Sequence, residues 1–278
     1  MTRPAYTHPF EPGELREVAE PLPPGPITRE WAWGGATGRG VRVAIVDSGV
    51  ENEHPAIAGR VTRFAAVRST PAALQLDTAP HGDTFGHGTA CAATVLSLAP
   101  EVELYSVRVL GPGLLGTGEA FLAGLRWAIE QRVQVVNLSL GSNKRDYFGA
   151  FHELVDTAYF QGTVLVTAAN NMPVPTYPSL YSSVISVAGH SIAEPFTFYC
   201  NPTPPVEFGA PGIDVRVAWR GGSYVVTTGN SFAAPHITGI VALILSKHPD
   251  LTQYQVKTVL HATASNVRRS KVDGRTAG

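Results

Sequence analysis

Short apolar runs rich in β-branched residues recur along the chain, at residues 41–46, 104–109, 133–138, 163–167 and 184–187. They are apolar at consecutive rather than alternate positions. That pattern predicts strands covered on both faces, as in parallel sheets. Between them the spacing turns helical. Residues 89–98 are small and apolar. Residues 119–131 repeat Phe121, Leu122, Leu125, Trp127, Ala128 and Ile129 near a period of 3.6, and 147–160 follow the same rule. Residues 231–247 are apolar almost throughout, which predicts a central buried helix. Strands alternating with helices predict a three-layer α/β fold, a mainly parallel sheet with helices on both faces.

Residues 1–27 are Pro-rich and aperiodic and are expected to form an irregular N-terminal arm. No linker divides residues 28–263, which read as one domain, and 264–278 read as a polar tail. The arm could lie near a cleft as an inhibitory segment through Pro21–Leu22–Pro23–Pro24–Gly25–Pro26; a strap against the surface is the simpler expectation.

Composition narrows the function classes. The chain has 278 residues and a net charge of -1, so nothing electrostatic points to nucleic acid or to an anionic membrane surface. The basic cluster Arg268, Arg269 and Lys271 reads as a solvated tail. No apolar run reaches the ~18 residues that span a bilayer, and the first thirty residues lack the apolar stretch of a signal peptide. A cytoplasmic protein is expected, or a secreted one if a pre-region has been removed. Cys91 and Cys200 read as free thiols rather than a bridge.

Candidate chemistry gathers at the predicted loop ends. Asp47 follows the first predicted strand and precedes Ser48–Gly49, a place where a turn aspartate is ordinary. His87 stands between Gly86 and Gly88, ahead of a predicted helix. Ser231 opens the long apolar helix, where a serine is usually a cap. Asn171 follows a predicted strand, where asparagine commonly makes turns. Singly, each reads as structural. Together they supply a nucleophile, a base and a carboxylate that fixes the base's tautomer. Their chain order is Asp, His, Ser, which is distinctive among triad arrangements.

The motifs around these residues resemble those of the subtilisin family of serine peptidases. Val46–Asp47–Ser48–Gly49–Val50 resembles its aspartate motif, His87–Gly88–Thr89 its histidine motif, and Gly229–Asn230–Ser231–Phe232–Ala233–Ala234–Pro235–His236 its serine motif. Ala168–Ala169–Asn170–Asn171 resembles its oxyanion segment. The resemblance covers about residues 28–263. It implies a serine endopeptidase with catalytic residues Asp47, His87, Ser231 and Asn171, acting through an acyl-enzyme. It also implies that an extended polypeptide substrate lies between Leu114–Leu115–Gly116 and Ser139–Leu140–Gly141. A monomer is expected, and precursor-peptide processing is one role it suggests. A transpeptidase or macrocyclase, and a catalytically silent peptide-binding relative, are the alternatives.

Departures from the family pattern carry expectations of their own. Ala99–Pro100 runs directly into Glu101, where many secreted members insert a calcium-binding loop, and Ala56 stands where many have Asp. No metal is therefore expected at that main site, other cation sites stay open, and no other cofactor is expected. Met172 takes the place of an acid beside the oxyanion asparagine, which implies an apolar or aromatic P1 residue. Asn170 replaces a glycine, an exchange suited to a positive φ if that position requires one. Phe232 replaces Met, and Cys91 falls where a thiol-bearing subgroup has cysteine, implying sensitivity to mercurials.

Overall fold

The computed structural model describes residues 7–8, 13–14, 22–23, 25–69 and 73–267. Most of the expected arm, and the part of the tail that carries Arg268, Arg269 and Lys271, lie outside the described residues. Leu22 and Ile27 pack on the main core, as a strap would.

A nine-stranded sheet is ordered β3(Leu74–Asp77), β2(Val61–Ser69), β4(Glu103–Arg108), β1(Arg42–Asp47), β5(Val135–Leu138), β6(Val164–Ala168), β7(Ile185–His190), β9(Phe208–Pro211) and β8(Tyr199–Cys200). Only the two edge pairs, β2–β3 and β8–β9, are antiparallel. The five predicted runs become β1, β4, β5, β6 and β7.

Both faces of the inner strands are covered, because consecutive residues along them enter opposite cores. Val43 and Ile45 join one core with α1(Arg29–Trp33), α2(His87–Leu98), α5(Asn230–Lys247) and α6(Gln253–Thr263). Ala44 and Val46 join the other, with α3(Gly118–Glu130) and α4(Phe148–Phe160). This is the three-layer α/β arrangement, and it explains why the strands read as unbroken apolar runs. The α5 helix is buried from Phe232 to Leu245 and packs on β5, β6 and β7.

The topology also sets the position of the site. The chain leaves β1 toward β2 and β4 on one side, then crosses to β5, β6 and β7 on the other. In parallel α/β sheets a crevice opens where the direction of winding reverses, at the carboxyl ends of the strands. Asp47 is the last residue of β1, aligned with Arg108, the last residue of β4.

Two elements differ from the sequence expectation near this crevice. His87 is the first residue of α2 rather than part of a loop ahead of it. A separate hairpin, β10(Val215–Trp219) and β11(Ser223–Thr227), also packs against α2. Val217 there shares a small apolar cluster with Ala90 and Phe232.

Candidate active site

The fully buried Asp47 carboxylate receives the Nδ1 of His87 at 2.8 and 2.9 Å on its two oxygens. The Ser48 backbone N–H donates to the same carboxylate at 2.7 Å. A buried carboxylate is stable only with such partners. Burial disfavours the charged form of His87. The charge and hydrogen bond of Asp47, helped by the charge of Asp83, outweigh this and hold its pKa above the ordinary histidine value.

Glycine is required where α2 begins. Gly86 has φ 118°, and a Cβ there would lie 2.7 Å from the Trp219 ring. At Gly88 a Cβ would meet the Gly49 carbonyl oxygen at 2.0 Å, so the start of α2 seats directly on the turn after Asp47. The ring of Phe232 stands 5.2 Å from the His87 ring and walls it in.

Ser231 is the second residue of α5, and the N-cap is Gly229. The capping reading of Ser231 is thereby corrected: its hydroxyl is not used on the helix's own amides. Pro235, four residues on, has no N–H and cannot close a helical bond to the Ser231 carbonyl. The Ser139 hydroxyl fills that role at 2.7 Å, and Cys91 Sγ stands 3.7 Å away. Ser139 in turn accepts from Asn137 Nδ2 at 3.0 Å, and Asn137 Oδ1 accepts from Thr238 further along α5 at 2.9 Å. The side chain of Ser139 therefore holds the start of α5.

Asn171, on an exposed turn after β6, accepts the Asn230 N–H through Oδ1 at 2.8 Å. That bond fixes which end of the amide is left over. A Cβ built on Gly229 would lie 3.3 Å from Ser231 Oγ and 3.5 Å from Asn171 Nδ2, so hydroxyl and amide nitrogen converge on one spot. Asn230 staples the region, accepting from Gly189 N–H at 2.8 Å and donating to the Asn170 carbonyl at 3.0 Å. Asn170 does not adopt a positive φ; its side chain instead accepts the Met172 N–H at 2.8 Å. Among the described residues the Ser231 hydroxyl makes no hydrogen bond, and the His87 ring bonds only through Nδ1. Catalytic hydrogen bonds are often long without substrate.

The expected substrate edges leave the same end of the sheet. Leu114–Leu115–Gly116 lies in the loop after β4, and Ser139–Leu140–Gly141 continues β5. Leu114 has φ 60° and Leu115 is 76% exposed. Leu140 is partly buried against the α3–α4 core, and Gly141 lies against the backbone of Tyr177. Met172 and Val174 form an exposed apolar rim beside Asn171.

Asp83 escaped the sequence reading. Asp83 accepts Ser48 Oγ at 2.7 Å and the amides of Phe85 and Gly86 on Oδ1, and the amide and hydroxyl of Thr89 on Oδ2. The available signal was an acid four residues before a candidate histidine. Cys91 and Cys200 are free thiols, and burial first, then the Asp47 charge, pushes the Cys91 pKa up so that it stays protonated. Among the described residues, one trio has the residue types and closeness of a metal site: Asp47, His87 and Cys91, with ligand atoms within 4.8 Å of one another. Asp47 and His87 are already committed to each other.

With this geometry in hand, comparison with known proteins is specific. The family model described as "Subtilase family" matches residues 38–277. The chain is 33% identical over 246 residues to a subtilisin of Bacillus pumilus, covering 83% of this chain and 86% of that protein. It is 33% identical over 251 residues to subtilisin E of Bacillus subtilis, covering 85% of this chain but 63%, less than two thirds, of that protein. Among solved structures, a cold adapted subtilisin-like serine proteinase aligns with TM-score 0.67 at 28% identity, covering 83% of this chain and 86% of the other. The structure titled "S41 Psychrophilic Protease" aligns with TM-score 0.71 at 25% identity, covering 81% and 83%. Among the described residues no helix is long and apolar enough to cross a membrane.

Proposed function

The chain belongs to the subtilase family and is a serine endopeptidase, and on that premise we propose that Ser231 is its nucleophile, His87 its base, Asp47 the orienter of that base and Asn171 an oxyanion donor. Serine is a weak nucleophile until a base takes its proton. In this reading His87 Nε2 takes the Ser231 proton as Oγ attacks a peptide carbonyl. Asp47 keeps Nδ1 protonated and stabilises the imidazolium. The tetrahedral oxyanion receives Asn171 Nδ2 and the Ser231 backbone N–H, donors aimed where charge develops. His87 returns the proton to the leaving amine, and water repeats the cycle on the acyl-enzyme. The observation that carries this reading is the convergence of Ser231 Oγ and Asn171 Nδ2 on one point beside Gly229.

The substrate is a polypeptide bound extended between Leu114–Leu115–Gly116 and Ser139–Leu140–Gly141, adding a strand through main-chain hydrogen bonds. The apolar rim of Met172 and Val174 supports an apolar or aromatic P1 residue. The enzyme also works without calcium where many relatives insert a binding loop. Only four residues, 99–102, join α2 to β4, and they are spent on turn and strand bonds such as Glu101 N–H to Thr37 O at 2.9 Å. Cleavage-site profiling on a proteome-derived peptide library, with Ser231→Ala as control, tests activity and P1 together. Cleavage after apolar and aromatic residues that vanishes in the variant supports the proposal; cleavage strictly after Arg or Lys contradicts the P1 assignment.

A further inference from the structure

A cavity of about 590 Å³, which the proposed reaction does not use, is lined in part by Val109 and Leu110, whose N–H groups donate to the Asp47 carbonyl. Its walls include Thr84, Arg68, Arg108, Leu110, Leu115 and Gly116. Thr84 joins it to the catalytic wall: it lies three residues before His87, and its hydroxyl bonds the carbonyls of Ser48 and Leu110 at 3.1 Å each. Leu115 and Gly116 join it to the proposed substrate edge. The cavity thus shares walls with the segment before His87 and with the proposed substrate edge.

Its charge is one-sided. Arg68 and Arg108 line it, and among the described residues no acid does. The register of β2 and β4 pairs Ala66 with Arg108, so Arg68, two residues further along β2, is on the same face and diagonal to Arg108. Like charges on neighbouring strands repel. Among the described residues neither guanidinium has an ion-pair partner, the arginine and lysine pairs there being Arg39–Glu101 and Lys257–Glu207. Arg108 donates to the Gly82 carbonyl at 3.2 Å, which holds its head at the wall. Burial, then the charge of Arg68, lower its pKa, against the opposing charges of Asp77 and Asp83. Those two acids face elsewhere: Asp83 is occupied by Ser48, Thr89 and backbone amides, and Asp77 by the Ala79 N–H.

We propose that this chamber is a subsite for an acidic side chain of the substrate, in which Arg108 and Arg68 hold an aspartate or glutamate within a few residues of the scissile bond. Guanidinium forks match a carboxylate in shape as well as charge. The inference rests on the active-site reading above and narrows its substrate class to polypeptides with an acid near the cleavage point.

The test is a quenched-fluorescence peptide series scanning Glu against Gln at four positions on each side of the scissile bond. One position is expected to show kcat/KM about tenfold higher for Glu, the size of one charge-assisted hydrogen bond. Arg108→Gln and Arg68→Gln should each reduce this ratio, and the double variant should bring it to about one. Raised salt should shrink it too, as screening weakens an exposed carboxylate–guanidinium contact. A Glu/Gln ratio near one at every position in the wild-type chain, or a preference that survives the double variant, overturns the proposal. If no peptide is turned over, binding of the same Glu and Gln peptides to Ser231→Ala by fluorescence anisotropy decides it, equal affinities being the negative result. Failure of the nucleophile assignment is separately visible, as absence of covalent labelling at Ser231.

Discussion

The hydroxyl of Ser48 donates to Asp83 Oδ1 at 2.7 Å and accepts the Gly88 N–H at 3.1 Å. Through that one hydroxyl the residue after Asp47 is tied both to the turn before His87 and to the first turn of α2. Asp83 thus ties together the two segments that carry the carboxylate and the imidazole, and the expectation is that it acts as a positioning residue. In Asp83→Asn one oxygen becomes an NH₂ group, facing either the Thr89 amide and hydroxyl or the donors on Oδ1. We expect kcat to fall about 10- to 100-fold, the scale of a small misplacement of catalytic groups, with KM little changed. Steady-state kinetics beside a melting curve separates this from unfolding.

The same variant has a signature in pH. His87 acts as base only when neutral, and its pKa is held above the usual ~6.5 by Asp47 and Asp83 against burial. The acid limb of kcat/KM in the wild-type chain should therefore lie above pH ~6.5. Removing the Asp83 charge lowers the pKa, so the limb should move toward lower pH. A limb that stays in place would mean that Asp83 acts by geometry alone.

Gly86 answers to two constraints at once, its φ of 118° and the Trp219 ring. Gly86→Ala should cost at least ~2 kcal/mol, combining left-handed backbone strain with overpacking. Trp219→Ala should relieve the clash but not the strain. In a double-mutant cycle by urea denaturation the two changes should couple, and strict additivity would contradict the contact.

If calcium is not needed between α2 and β4, a chelator should leave the melting temperature unchanged. A drop of several degrees, restored by calcium but not magnesium, would contradict this.

Much of the molecule was legible because its inner strands are buried on both faces, so β1, β4, β5, β6 and β7 stand out as apolar runs. β2 did not, since Arg63 and Arg68 interrupt it near the edge of the sheet. The α6 helix was not among the expected helices, although a capping box between Thr252 and Gln255 marks its start. The hairpin of β10 and β11 was hidden because its strands are short and half exposed, yet Trp219 explains why Gly86 must be glycine. The candidate triad residues were legible as motifs. The supports were not, because Asn230 and Ser139 act through partners distant in sequence, as Asp83 does through Ser48: Ser139 reaches the Ser231 carbonyl only because Pro235 leaves it unpaired.

The central claim is that Ser231 is the nucleophile, activated by His87 and assisted by Asn171. A serine-directed fluorophosphonate, reacted with the chain and located by peptide mass spectrometry, tests it most directly. One adduct is expected, on Ser231, lost in Ser231→Ala and in His87→Ala. Asn171→Ala should slow labelling and cut kcat by about 10²–10³, the figure for the corresponding donor in subtilisin itself. An adduct on another serine, or none on a chain that still cleaves peptides, would contradict the account.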